Sequence, residues 1–172
     1  AWLTASDEQW DVIMVDAYQD ITIPFQMSSV EFFTEVYEHL KPGGVMVVNM
    51  SMRSESEGSM NEYLMDTIKS VFPYAWTVRV SGGTNLELFA TADEDALARF
   101  EQRRSEVPGD YAAIMQRVDE GLEAVEGGDY ILTDDKAPVE LLGMAVLDEI
   151  IANELDVLRD QIAENGIMSL LE

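Results

Sequence analysis

The sequence of 172 residues contains no cysteine and a single histidine. The absence of cysteine excludes disulfides, thiolate catalysis and zinc sites built on cysteine. One histidine cannot form a site with several histidine ligands, so we expect no bound metal. His39 lies near the predicted C-terminus of a helix, where the helix dipole favours an imidazolium. A structural role is therefore expected for it.

Long hydrophobic runs are also missing. None approaches the roughly 20 apolar residues that a membrane-spanning helix needs. The first ten residues, AWLTASDEQW, lack the basic region and apolar stretch of a signal peptide. We therefore expect a cytoplasmic location and no direct membrane contact by this segment. Because the sequence does not begin with methionine, a membrane segment upstream of Ala1 stays open.

Basic residues are few: 10 Lys and Arg face 34 Asp and Glu, for a net charge of −24. Nucleic-acid binding requires basic patches, so a nucleic-acid partner is not expected. An anionic membrane surface is disfavoured for the same reason. The charge would attract a small cationic substrate such as an amine. It is more typical of a surface adapted for solubility or salt, and the composition leaves both interpretations open.

Two short apolar runs, DVIMVD at 11–16 and GVMVVNM at 44–50, predict strands buried on both faces, as in parallel sheets covered by helices. Apolar residues at helical spacing lie between them. Ser28 and Glu31 predict a capping box at the start of this helix, and the Lys-Pro-Gly-Gly segment ends it. Strand, helix and strand together predict a right-handed βαβ unit.

The rest of the chain continues this α/β pattern. We predict a helix over 61–72, then strands over 76–80 and 86–91 joined by a Gly-Gly turn. This antiparallel hairpin would form the edge of an otherwise parallel sheet. From about residue 93 no strand pattern remains. The sequence therefore predicts a sheet domain over 1–92 and a helical region over 93–172 that packs on it.

Polar residues follow each predicted parallel strand. Asp16 ends the first strand, and Asn49 and Ser51 end the second. Ligands of open α/β sheets bind outside the carboxyl ends of the strands, so these side chains are candidates for a binding site. A carboxylate at this position would suit a cationic sulfonium or an amine. Asp16 could instead cap the following segment through a loop N–H group.

Two adjacent acids, Asp134 and Asp135, are further candidates for substrate binding. The alternative is helix capping: Thr133 or Asp135 could be the N-cap of a helix that begins at Pro138. Asp20 likewise has two interpretations, because an acid before Pro24 is typical of a turn.

The ordered set of motifs resembles the C-terminal half of the spermidine synthase family, and in particular its bacterial spermidine synthase-like branch. The motifs are D-V-I-x-V-D, an Ile-Pro in the following loop, a helix with E-F-F, L-K-P-G-G-V-x-V-V-N, GGTNLELFAT and ILTDDKAPVE. They span nearly the whole chain, although K-P-G-G alone occurs across methyltransferases. The resemblance implies a partial Rossmann-like sheet of the class I methyltransferase-like fold.

The resemblance also implies roles for residues in the first loop. Asp16 matches the catalytic acid, which would accept a proton from the attacking amine or orient it during aminopropyl transfer. Asp16 and Ala17 would contact the nucleoside co-substrate, S-adenosylmethionine or its decarboxylated form. Tyr18, Gln19 and Asp20 would line the site for a cationic amine. The family pattern is D-x-x-D-P, and Asp20 comes one residue later than its second acid.

The glycine-rich cofactor loop of the family is absent from these 172 residues. We therefore expect about half of a transferase domain, inactive as this fragment. A methyltransferase of the same fold and a noncatalytic domain for assembly or regulation are the alternatives. Half a sheet would leave the first strand with an unpaired edge and bare apolar faces. Self-association, as a homodimer for example, is therefore expected.

Overall fold

The protein is described by a computed structural model over residues 3–16, 23–51, 57–80 and 85–165. This part of the chain contains five strands and five α-helices. In order they are β1 (Trp10–Val15), α1 (Val30–Glu38), β2 (Leu40–Ser51), α2 (Met60–Val71), β3 (Tyr74–Arg79), β4 (Asn85–Thr91), α3 (Ala96–Arg104), α4 (Gly109–Gly121), β5 (Glu123–Ala124) and α5 (Val139–Asn165).

The strands form one sheet in the order β1-β2-β4-β3-β5. β1 and β2 are parallel and are joined through α1, which confirms the predicted βαβ unit. β4 is antiparallel to both β2 and β3. The predicted α/β class, a partial Rossmann-like sheet with parallel strands, an antiparallel hairpin and a helical C-terminal region, is therefore confirmed.

The hairpin differs from the prediction in its place in the sheet. β4 inserts between β2 and β3, so the antiparallel strand is interior and the hairpin does not form the edge. The outer position beside β3 is taken by β5, a two-residue strand inside the region predicted to be wholly helical. Two residues are too few to show an alternating apolar pattern, so the sequence carries no signal for this strand.

The face of the sheet that packs on α1 and α2 contains the hydrophobic core. Its fully buried side chains come from strands and helices alike: Phe33, Val36, Met46, Val48, Met50, Leu64, Ile68, Phe72 and Leu88. We call this the packed face. Burial of so much apolar surface is the main stabilising contribution to the fold.

The opposite face, which we call the open face, is covered only in part. α3 and α4 lie over its β3–β4 side, where Trp76 and Phe89 face Phe100 and Val118 across a cavity of about 150 Å³. On β1, Val12 is 54% exposed and Met14 is 73% exposed. The prediction that β1 is buried on both faces is therefore wrong for the described residues, because none of their helices covers this side of β1. Within the described ranges, β1 pairs only with β2 and is an outer strand of the sheet.

The N-cap of α1 lies one residue later in the chain than the predicted N-cap, Ser28. Its N-cap is Ser29, whose Oγ accepts a hydrogen bond from the Phe32 backbone N–H. The Ser28 hydroxyl instead donates to the carbonyl of Phe25. The Ser28 capping box is therefore wrong. With two serines in succession, the loop geometry decides which of them caps the helix.

α1 ends at Glu38 with His39 as its C-cap, so the Lys-Pro-Gly-Gly segment follows the helix and lies within β2, directly after Leu40. Between the pairs Trp10↔Leu40 and Val12↔Val45 the register shifts, so the segment forms a bulge in β2. Gly43 has φ of +79°, a conformation that favours glycine. A Cβ on Gly44 would lie 2.9 Å from the Lys41 carbonyl, so the bulge requires glycine there too.

The C-terminal region contributes to the core as well as to the surface. Val125, Leu132 and Val139 are buried together with residues of α1 and α2. α5 is 27 residues long. Within the ranges described above, no helix is long and apolar enough to cross a membrane. The boundary between the predicted regions 1–92 and 93–172 stays a prediction.

Candidate functional site

The candidate site lies where β1 and β2 end. Parallel strands place their carboxyl ends at the same edge of a sheet, and that edge is where α/β folds bind ligands. Asp16 directly follows β1 and is exposed, whereas Asn49 is near the end of β2 and half-buried. The Asn49 side-chain amide donates a hydrogen bond of 3.0 Å to Asp16 Oδ1. The structure therefore brings together these two predicted site residues.

The register of the sheet extends this pair into a row. Val15 pairs with Val48, so Asp16 lies beside Asn49, and Asn49 in turn pairs with Glu87 on β4. Paired residues of adjacent strands project from the same face. Asp16, Asn49 and Glu87 therefore lie side by side on the open face, and we call them the polar row.

Asn85 anchors this row from the start of β4. Its side-chain amide donates to Asn49 Oδ1 over 2.9 Å, while the Asn49 amide donates to Asp16. Both ends of the Asn49 side chain are thus occupied, which fixes the orientation of its amide group. The chain of bonds holds the Asp16 carboxylate at the sheet edge, and among the described residues no hydrogen bond reaches its second oxygen.

Glu87 is the member of the row that the sequence did not suggest. Burial raises the pKa of its carboxyl group, and the nearby Asp16 carboxylate raises it further. Two like charges on a half-buried face favour the approach of a cation. The only sequence signal was an acid in the middle of an apolar strand, LELFAT, and that pattern is equally typical of a solvent-facing position.

The predicted residues of the first loop, Ala17, Tyr18, Gln19 and Asp20, lie outside the described residues. Their roles at the co-substrate and the amine stay predictions. Ser51 ends β2 as expected.

Asp134 lies at the N-terminus of α1 and not at the polar row. The Ser29 hydroxyl donates to Asp134 Oδ1, and the Asp134 backbone N–H donates to Glu31 over 3.0 Å. An acid at a helix N-terminus is stabilised by the helix dipole. Since α1 begins at the edge where β1 ends, Asp134 is placed at that edge of the sheet. No contact between the described residues joins it to Asp16.

Asp135 is exposed within a tight turn in which Thr133 and Lys136 exchange backbone hydrogen bonds of 3.3 and 2.9 Å. α5 begins at Val139, and the Pro138 carbonyl accepts its first bond, from Leu142. Thr133 and Lys136 therefore close the turn, three residues before α5 begins. The alternative in which Thr133 or Asp135 caps α5 receives no support. Substrate binding by Asp134 and Asp135 stays a prediction.

Polar side chains of α2 also contact the segment 128–132, and the sequence pattern did not predict this buried contact. The Asp66 carboxylate accepts a bond of 3.0 Å from the Tyr130 backbone N–H, and Thr67 Oγ1 accepts one of 2.9 Å from Leu132. A Cβ on Gly128 would lie 2.4 Å from Asp66. These contacts hold the segment that carries Asp134 against the packed face, so they position the loop rather than take part in chemistry.

His39 has the structural role that its position predicted. Nδ1 lies 2.7 Å from the Glu35 carbonyl and Nε2 lies 2.9 Å from the Ser6 carbonyl. Two carbonyl partners require both ring nitrogens to carry protons, so these contacts raise the pKa of the imidazole. The imidazolium ties the N-terminal segment to the end of α1. Among the described residues, no three acidic or histidine side chains converge as metal ligands would.

No family model matches this chain. The chain is 48% identical, over 192 residues, to the probable polyamine aminopropyl transferase of Bifidobacterium longum. The match covers 99% of this chain and 42% of that protein, so the chain spans less than half the length of this curated relative.

Two solved structures are also similar. Human methyltransferase-like protein 13 in complex with SAH is 22% identical with a TM-score of 0.48, over 69% of this chain and 52% of that one. A probable spermidine synthase from Corynebacterium glutamicum is 19% identical with a TM-score of 0.47, over 72% of this chain and 45% of that one. At 48% identity over almost its whole length, this chain is similar to part of a probable polyamine aminopropyl transferase, which agrees with the predicted resemblance to the spermidine synthase-like family.

Proposed function

We propose that this chain forms the amine-facing part of a spermidine synthase-like aminopropyltransferase. The observation that carries the proposal is Asp16, an exposed carboxylate at the end of a parallel strand and held there by Asn49. It occurs in a chain 48% identical to part of a probable polyamine aminopropyl transferase. The donor would be decarboxylated S-adenosylmethionine, and the acceptor a small cationic amine.

The chemistry is a substitution at carbon. The unprotonated nitrogen of the acceptor attacks the aminopropyl carbon bonded to the sulfonium. The carbon–sulfur bond breaks, its electron pair stays on sulfur, and a neutral thioether leaves. The new nitrogen–carbon bond makes the nitrogen cationic, and it then loses one proton.

The second oxygen of the Asp16 carboxylate, Oδ2, is suited to accept that proton, or to orient the N–H bond so that the nitrogen lone pair faces the carbon. Since no group on the donor needs activation by the protein, most of the rate would come from positioning the two reactants. The hydrogen bond from Asn49 fixes the carboxylate without neutralising it. The net charge of −24 would steer a cationic amine towards the protein.

The 172 residues contain no glycine-rich nucleoside-binding motif. We therefore expect no transfer by these 172 residues alone, and the activity is proposed for the complete gene product. The bare β1 edge, with Val12 and Met14 exposed, would then be covered by other parts of that product or by another copy.

A methyltransferase of the same fold is the second candidate within the enzymes. The two can be separated by the nucleoside that stabilises the complete gene product against heat, because a ligand raises the melting temperature only if it binds the native state. We expect stabilisation by decarboxylated S-adenosylmethionine, and aminopropylated amine as the product.

Stabilisation by S-adenosylmethionine alone, with a methylated product, would assign the chain to the methyltransferases. Binding of neither nucleoside and transfer to no amine would favour a noncatalytic role in assembly or regulation.

A further inference from the structure

We propose that Glu87 is a specificity-determining residue that binds the distal ammonium group of a diamine whose other nitrogen reacts at Asp16. This inference rests on the proposed function and concerns the residue that recognises the second nitrogen of an acceptor with nitrogens at both ends of an aliphatic chain. It assigns to a residue of β4 part of the amine binding that the sequence analysis predicted for the loop after β1.

The first argument is the geometry of the polar row. Adjacent strands lie about 4.8 Å apart, so the backbones of β1 and β4, on either side of β2, are separated by roughly 10 Å. Asp16 and Glu87 project from the same face, with Asn49 between them. An extended diamine lying across the strands could reach both carboxylates through charge-assisted hydrogen bonds of about 2.8 Å at its ends.

The second argument is that the hydrogen bonds of the row leave Glu87 open. The amide groups of Asn49 and Asn85 are used to hold Asp16 and each other. Within the described part of the chain, no donor is hydrogen-bonded to the Glu87 side chain. A half-buried carboxylate without a donor is costly to keep in its charged form, and a cationic ligand removes that cost.

The third argument is electrostatic. Glu87 is destabilised in its charged form first by burial and then by the charge of Asp16. A monoamine bound at Asp16 would neutralise one charge and leave Glu87 buried beside it. A diamine neutralises both, so the site should discriminate between acceptors by the presence of the second ammonium group.

The spacing of the acids after β1 supports a role for a carboxylate from outside that loop. In the family pattern the second carboxylate follows Asp16 after two residues, whereas Asp20 comes one residue later in this chain. Glu87, on β4 and two strands away from Asp16, would supply a second carboxylate on the open face.

The test compares 1,4-diaminobutane with butylamine as acceptors for the complete gene product. Glu87→Gln keeps the size of the side chain and removes its charge. We expect KM for the diamine to rise at least 10-fold, with kcat within about threefold of the unaltered protein. KM for butylamine should not rise, because a monoamine leaves Glu87 without a cation, so the preference for the diamine falls at least 10-fold.

Glu123→Gln is the matched control, because it removes one exposed carboxylate from β5, outside the polar row. It should leave both acceptors unaffected. An unchanged preference in Glu87→Gln, or a loss of kcat with KM unchanged, would overturn the assignment of Glu87 while the proposed function stands. Failure of the unaltered protein to transfer to any amine would overturn both.

Discussion

The two faces of the sheet differ in what their residues do. On the packed face the side chains of β2 are completely buried against α1 and α2, and the polar groups near them, such as Thr67, are satisfied within the protein. On the open face the same strands present half-buried or exposed groups, including the polar row. Stability should therefore depend on the packed face, and ligand binding on the open face.

The largest difference in stability is expected from apolar residues of the two faces. Phe33→Ala should lower the free energy of unfolding by about 3–5 kcal/mol, because it leaves a cavity in the core. Met14→Ala, at a side chain 73% exposed, should change it by less than about 0.5 kcal/mol. Urea denaturation of both variants makes the comparison, and equal losses would show that β1 is covered.

A smaller loss is expected where α2 contacts the segment 128–132. Thr67→Val removes the hydroxyl that accepts from the Leu132 N–H and leaves that buried donor without a partner. The cost should be about 1–3 kcal/mol. Hydrogen exchange at the Leu132 amide should become faster, and unchanged protection there would separate this segment from the packed face.

His39 should give stability that depends on pH. Its pKa is raised above the ordinary 6.5 by the carbonyls of Glu35 and Ser6. Its contribution is therefore fully present below about pH 6.5 and is lost as the pH rises through the folded-state pKa. Unfolding at pH 5.5 and 9 should show that His39→Gln is less stable than the unaltered protein only at the lower pH. An equal deficit at both values would mean that the imidazolium is not required.

The smallest effect on stability is expected at Glu87, and it has the opposite sign. Because its pKa is raised above 4.5, the ionised form costs stability in the folded state. That cost is absent below about pH 4.5 and complete once the pH exceeds the folded-state pKa. Glu87→Gln should therefore become more stable than the unaltered protein as the pH rises over this range. A constant difference would indicate that Glu87 is freely solvated.

The elements with a strong local pattern were predictable. β2, α1 and α2 have continuous apolar runs or helical spacing, and their caps and stops lie within a few residues of the predicted positions. The cap of α1 was predicted at Ser28 and lies at Ser29, because adjacent serines offer the same hydroxyl group for capping. The two-residue strand β5 is too short to have a pattern of its own.

The sequence could not predict which residues of different strands lie side by side in the sheet. Asp16 was identifiable because the end of a strand is a local feature, whereas Glu87 enters the row only through the pairing of β4 with β2. The exposure of Val12 and Met14 depends likewise on which helices cover β1. Both features arise from long-range packing, and the alternation along one strand does not encode it.

The most direct test of the central claim is the Asp16→Asn variant of the complete gene product, assayed for aminopropyl transfer to an amine. The substitution keeps the size of the side chain and removes the group that accepts the proton. We predict that kcat falls about 10²–10⁴-fold with the melting temperature nearly unchanged. Activity within a few fold of the unaltered protein would contradict the account, because the polar row would then not face the reacting amine.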